Sequence, residues 1–350
     1  MADPSLSLNT TLLRGFRYAC WPECGLCCFA EPRVDATERA VLLQIAPETE
    51  FVDTSQGSFL RAGSNGGACQ FLRNLRCSAH TARPHPCQEF PVHVHLGDRL
   101  QASLVLSCPG VALDVLSETT PFSARAAPEG FGDELAAVNR RLVPGVDRRL
   151  REAGRRKGRI VRQLDREGRW EEEEEVRDAL RREVPLPLPE DFPVEAPPSA
   201  EDGLEFLPIF YDGRPGPVGL AEGLGGWEAV ELRPSGGVER LLAAIPPPET
   251  PPELTPTAER LLVGYLRYYL ERDALLASVL PQMLQSSEGT VTAWVAKELR
   301  TIGATVVSRA LVRAKLSGAP SGPLRVGEIA EGIRATDQDR LDVPTWGDRL

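Results

Sequence analysis

The sequence predicts an α+β chain: a small Cys-rich unit with a β-hairpin and short helices, followed by a mostly α-helical C-terminal region. Three observations predict it. All eight cysteines and all four histidines fall between Cys20 and Cys108. The run Phe90-Pro-Val-His-Val-His-Leu96, then Gly97-Asp98, then Leu100-Gln-Ala-Ser-Leu-Val-Leu106 reads as two strands joined by a Gly-Asp turn. Beyond Thr257, apolar residues recur at i, i+3 and i+4, the spacing of a buried helical face.

Four segments follow in order. Residues 1–125 form the cysteine-bearing unit. Within it Asp35-Ala-Thr-Glu-Arg-Ala-Val-Leu-Leu-Gln-Ile45 reads as a short helix with Asp35 or Thr37 as N-cap. Residues 126–185 are charged and helical, with the run Glu171 to Glu175 and many arginines at helical spacing. Such a face is expected to be solvated and held by Glu–Arg pairs, each contributing about 0.2–0.5 kcal/mol, rather than to dock a basic partner. Residues 186–256 are proline-rich and read as extended linker. They enclose a small meander from Leu207-Pro-Ile-Phe-Tyr, Pro217-Val-Gly-Leu and Trp227-Glu-Ala-Val-Glu-Leu. Gly219 to Gly226 is only loosely similar to a phosphate loop and reads as a turn.

Residues 257–350 are helical. The first helix is expected from Thr257 to about Met283, burying Leu261, Leu262, Tyr265, Leu266, Tyr269, Leu276 and Leu280. A second runs from about Thr290 to Leu316, and a third begins near Val326. Tyr265, Tyr268 and Tyr269 read as amphipathic core rather than pocket lining.

Charge and hydropathy exclude some classes. The formal net charge of -10 argues against nucleic acid as a partner, because phosphate binding needs a basic surface. No stretch reaches the roughly 20 apolar residues of a membrane span. The N-terminus lacks the basic and apolar regions of a secretory signal, so a cytoplasmic location without membrane association is expected. Basic residues are nearly all arginine, with lysine only at Lys157, Lys297 and Lys315, as a GC-rich genome would give.

In a reducing compartment, clustered cysteines point to metal ligation rather than disulfides. The constellation is Cys20-x3-Cys24-x2-Cys27-Cys28, then Cys69-x7-Cys77 and Cys87, then Ser107-Cys108-Pro109. A Cys-x2–4-Cys turn brings two sulfurs to one ion about 2.3 Å away, which suits Cys24 and Cys27. The adjacent Cys27 and Cys28 would point to opposite sides of an extended chain, suggesting two sites, or one site and a spare thiol. The hairpin would return Cys108 towards Cys87. Soft thiolates select zinc or an iron–sulfur cluster, and spacing alone does not choose. His80 and His85 interleave with Cys77 and Cys87 as candidate direct or supporting ligands. His93 and His95 share one strand face, which could point into a site but is expected to be the wet side of a half-buried strand.

These residues resemble the YkgJ-like cysteine-cluster (CxxCxxCC) family, described as zinc- or iron-chelating. Cys24-Gly-Leu-Cys27-Cys28, Cys69-Gln-Phe-Leu72 and Arg83-Pro-His-Pro-Cys87-Gln-Glu-Phe-Pro91 match its pattern. The opening departs at Cys20, which stands three residues from Cys24 instead of two. Within that group the flagellin lysine N-methylases (the FliB type) are similar in a further feature, a stretch ending Ser-Cys-Pro-x-x-Ala. It corresponds here to Ser107-Cys108-Pro109-Gly-Val-Ala112. A tyrosine-rich helix is echoed by Gly264 to Leu270.

The likeness covers about residues 16 to 115. It implies an iron–sulfur cluster of the 4Fe-4S kind, S-adenosylmethionine as methyl donor and a protein lysine as acceptor. No glycine-rich methyltransferase loop accompanies it, so the activity rests on the resemblance. The expected metal ligands are Cys20, Cys24, Cys27, Cys28, Cys69, Cys77, Cys87 and Cys108. Two other readings stand beside the iron–sulfur one. They are a zinc-stabilised scaffold for a partner, and an electron-transfer protein.

Overall fold

The computed structural model describes residues 7–21, 24–29, 31–54, 57–61, 68–74, 76–97, 99–141, 146–192, 209–210, 218–223, 226–232, 238–245, 251–318, 322–341 and 348–349. It is an α+β fold in which short antiparallel sheets come first and long helices follow.

The first lobe holds little apolar material. β1 (Arg33–Val34), β2 (Phe51–Thr54) and β3 (Gly57–Leu60) form a sheet in the order β1-β3-β2. Between β1 and β2 lies helix α1 (Ala36–Ile45). Asp35 caps it as expected: its carboxylate accepts from the Thr37 and Glu38 N–H groups, while the Glu38 carboxylate accepts from the Asp35 N–H. β4 (Leu72–Arg73) and β5 (Arg76–Cys77) make a tiny hairpin, with Asn74 in the left-handed region at φ 49°. The one-turn helix α2 (His85–Glu89) follows. The buried centre of this lobe is Val34, Leu42, Leu60, Cys69, Phe71 and Ala79.

The expected hairpin forms between β6 (Val92–Leu96) and β7 (Leu100–Leu104), paired from Val92–Leu104 to Leu96–Leu100; Asp98 lies outside the described residues. Both strands are largely buried, because the hairpin lies on the helices rather than facing water. The expectation of a wet histidine face therefore fails: His95 is buried and His93 half-buried. His95 lies within electrostatic reach of Asp273 on the helices.

Charged helices α3 (Gly132–Arg141), α4 (Val146–Arg166) and α5 (Glu173–Arg182) come next. They are not simply solvated. Arg177 is buried and reaches the Leu270 carbonyl and Asp273, and Arg181 makes a two-pronged pair with Glu271. The stretch 184–192 also departs from the linker reading, since Phe192 joins the core and Val184 and Leu186 pack against it. The proline runs at 193–200 and 246–250 lie outside the described residues. The meander has one more strand than expected. It comprises β8 (Ile209–Phe210), β9 (Val218–Gly223), β10 (Gly226–Leu232) and β11 (Val238–Ile245), antiparallel in chain order. Gly219 to Gly226 spans a β-hairpin and is no phosphate loop.

The helical region contains α6 (Pro256–Leu270), α7 (Asp273–Met283), α8 (Val291–Leu316) and α9 (Val326–Leu341). Thr255 and Thr290 cap α6 and α8 through their hydroxyls. All seven residues of the expected first-helix stripe are buried, and Tyr265, Tyr268 and Tyr269 are core, as read from the sequence. The expected single helix is nonetheless broken. Arg272 is extended (ψ 125°) because its guanidinium is drawn inward to Asp337 and the Leu104 carbonyl. Glycine permits two close approaches. A Cβ on Gly264 would meet the Leu116 carbonyl oxygen at 1.7 Å, and one on Gly332 would meet that of Val306 at 2.3 Å.

One continuous core joins Leu12, Leu13 and Phe16, the hairpin, and the helices from Ala258 to Ile333. It crosses the 125/126 boundary, so the hairpin that carries the chain to Cys108 is built into the helical body. Near the C-terminus β12 (Asp348–Arg349) pairs with β6. No helix among the described residues is long and apolar enough to cross a membrane.

Candidate metal centre

Cys27 and Cys28 sit in a 3-10 turn, Leu26–Phe29, entered through Gly25 at φ 65°. Side chains of neighbouring residues in such a turn stand about 120° apart, not opposed as in a strand. The expectation of opposite-facing thiols is thereby corrected. The Cys28 thiol donates to Cys27, which holds Cys27 down at about 7 and pushes Cys28 up. The Cys69 N–H donates to the Cys28 carbonyl, tying the second cysteine group to the first.

The second group comes from the small hairpin and α2. Cys77 pairs across to Leu72, and the Cys87 N–H bonds the Pro84 carbonyl at 2.9 Å. Burial pushes Cys69 up to about 11 and raises Cys87 and Cys77; for Cys69 and Cys87, neighbouring thiols add to the rise. The Arg83 guanidinium opposes the rise at Cys77 and Cys87 and adds to the lowering at Cys27.

Cys108 arrives from the other side of the molecule. The segment after β7 is held by α9 and by the break between α6 and α7. Leu106 N–H donates to Asp337 at 2.7 Å, and Arg272 donates to the Leu104 carbonyl at 2.6 Å. Arg334 donates to the carbonyls of Leu106 (3.2 Å), Cys108 and Val111 (3.1 Å). Burial pushes Cys108 up to about 12; Cys27 and Cys24 add to the rise, and the Arg334 guanidinium opposes it. The segment after the hairpin thus brings Cys108 within electrostatic reach of Cys24 and Cys27.

Cys24 is raised by burial and by Cys27 and Cys20. Exposed Cys20 lies at the rim, where it accepts from the Tyr18 hydroxyl; burial is the larger cause of the rise at Tyr18. All eight cysteines are free thiols. Cys27 acts electrostatically on Cys24, Cys28, Cys69, Cys77, Cys87 and Cys108, so seven of the eight converge on one region. They do not close tightly. Among the described residues no three sulfurs fall within 4.8 Å of one another.

Among the described residues no histidine falls within 4.8 Å of two of the sulfurs as part of one close group. His80 is exposed. His85 donates its backbone N–H to Glu38 at 2.6 Å, and its ring lies beside Asp35 and Glu38. Those carboxylates are occupied in capping α1. Sequence reasoning also missed Arg334, Asp337, Arg272 and Tyr18. Arg83 had a local signal, its place in the Arg83-Pro84 motif. Arg334 and Asp337 had none, because they lie more than 220 residues from the carbonyls and N–H groups they hold.

Residues 19–109 match the CxxCxxCC family model, whose description reads "Putative zinc- or iron-chelating domain". The match spans every cysteine of the constellation and supports metal binding by this segment. The chain matches no curated protein and no solved structure.

Proposed function

We propose that this set of eight cysteines supplies the thiolates for iron–sulfur chemistry of the 4Fe-4S kind, four thiolates to a cluster, rather than for a single structural zinc. The observation that carries this reading is the spread of the sulfurs, gathered around Cys27 yet with no three within 4.8 Å among the described residues. Thiolates bound tetrahedrally at about 2.3 Å to one zinc stand only about 3.8 Å apart. A cluster takes its thiolates on separate irons and suits a wider ring.

The donor chemistry fits as well. Burial and mutual repulsion keep most of these thiols protonated, and a multiply charged centre relieves both penalties. Cys69 and Cys77 act on both Cys28 and Cys87, Cys24 acts on Cys108, and Cys27 acts on Cys28, Cys87 and Cys108 alike. Such a centre supplies one-electron chemistry when bound. The chain's own contribution is to hold Cys108 rigidly through Arg334 and to offset thiolate charge with Arg83 and Arg334.

The enzymatic form of this reading is transfer of a methyl group from S-adenosylmethionine to a protein lysine, in the cytoplasm. It is supported by the likeness at Ser107 to Ala112 and rests on that likeness alone.

Protein purified without oxygen is expected to be brown and to contain iron and acid-labile sulfide. Colourless protein with stoichiometric zinc would replace this reading with the zinc scaffold. Iron-loaded protein with a reversible redox couple, inert towards labelled S-adenosylmethionine and lysine-bearing proteins, would leave the electron-transfer form.

A further inference from the structure

Helix α4 carries a charge pattern that the metal centre does not use. Its inward face is Val146, Leu150, Ala153 and Leu164, all buried. At 3.6 residues per turn, Arg148, Arg151, Arg155, Arg159, Arg162 and Arg166 fall within an arc about 80° wide, centred opposite that face. All six are exposed. No acidic residue lies in the arc; Glu152 and Asp165 flank it on either side. The nearby ion pair, Lys157 to Glu173 at 2.5 Å, sits on the buried flank. None of the six arginines makes an ion pair among the described residues.

The row is about 27 Å long with one guanidinium per turn, roughly every 5.4 Å. Like charges at i, i+3 and i+4 weaken a helix, so the row works against α4 rather than for it. An arginine-rich composition explains why the bases are arginine. It does not explain why six of them share one arc in a chain whose net charge is -10.

We infer that this face of α4 docks an acidic helix of a partner protein. Charge complementarity sets the partner's chemistry. A helix with Asp or Glu at every third or fourth position offers one carboxylate per turn at the same pitch, and each guanidinium can bind a carboxylate through two N–H groups. Nucleic acid fits less well. The arc has no aromatic side chain on which a base could stack. The interaction involves no cysteine and is expected equally in metal-loaded and metal-free protein.

The test uses the full chain and fluorescence anisotropy with three labelled probes of similar length. They are a helix-forming peptide of about six turns with one glutamate per turn, single-stranded RNA and duplex DNA. The expected result is peptide binding at about 50 mM salt that weakens at least tenfold by about 300 mM. Binding should be lost in Arg151→Glu/Arg155→Glu/Arg159→Glu and largely kept when the same three positions are lysine. Thermal unfolding checks that the variants are folded. Should the glutamate variant unfold, the glutamine triple, which removes charge without reversing it, is expected to lose binding in the same way. An absence of peptide binding at low salt, binding indifferent to the charge-removing variants, or tighter binding of RNA or DNA than of peptide would each overturn the inference.

Discussion

The cysteine lobe and the helical body solve the same problem with different material. Between Val34 and Ala79 the lobe buries a handful of apolar side chains, one of them Cys69. The body, from Leu12 through the hairpin to Ile333, packs leucines, valines and three tyrosines around an ion pair that is almost wholly out of water. The body can stand on packing. The lobe presents thiols where a core would hold leucines, so its stability is tied to what those thiols bind. Cys108 breaks the symmetry, because it belongs to the thiol set but is anchored in the body.

The contrast is broken most forcefully inside the body. Asp337 accepts from Arg272, Tyr265 and the Leu106 N–H. Asp337→Ala leaves Arg272 charged and unpaired in the core, a loss of about 3–5 kcal/mol. Denaturant unfolding should show one large drop in midpoint for the whole body, with the Cys108 segment released. Gly332→Leu attacks the same body by steric means. Its Cβ would sit 2.3 Å from the Val306 carbonyl, so α8 and α9 must separate, at a cost of about 1–3 kcal/mol or more, read as a fall in Tm.

These two examples also mark the limits of what the sequence discloses. Signals that act over a few residues were legible: Asp35 as one of two N-cap candidates for α1, the hairpin with its Gly97 turn, Thr290 at the start of α8, and the tyrosine stripe. The cysteine constellation was legible because its spacing is itself local. Features set by distant partners were not. The break at Arg272 interrupts an apolar stripe that continues unbroken in sequence, and its cause is a carboxylate 65 residues away. Likewise nothing near Arg334 marks it as the residue that holds Cys108. His95 was misplaced because alternation cannot say which side of a hairpin a helix will cover.

The bridge between the regions gives a medium effect. Arg334→Ala removes the donors to three carbonyls around Cys108 while leaving the thiol in place. Metal affinity should fall about 10- to 100-fold, as for other groups that orient ligands, with helix content unchanged. Competition with a chelator measures the loss. A variant that unfolds outright would place Arg334 among the body's packing residues instead.

Acid offers a smaller test. Burial works to raise the Asp273 carboxyl, but hydrogen bonds from Arg99 and the charges of Arg99 and Arg177 outweigh it and hold it below its ordinary value. A depressed folded value adds stability above the unfolded value, near pH 4, and that stability is lost as pH falls through the folded value. Below about pH 4 the body should weaken, and Asp273→Asn should flatten the slope of Tm against pH there. The smallest effect belongs to the lobe. Asp35→Ala removes the α1 cap at a cost of about 1 kcal/mol, visible as faster amide exchange confined to α1.

The central claim concerns what the thiols share, and X-ray absorption on anaerobically purified protein addresses it most directly. The expected result is an iron edge with a shell of sulfur neighbours and a second shell of iron. A zinc edge with four sulfurs at about 2.3 Å and no metal neighbour would contradict it.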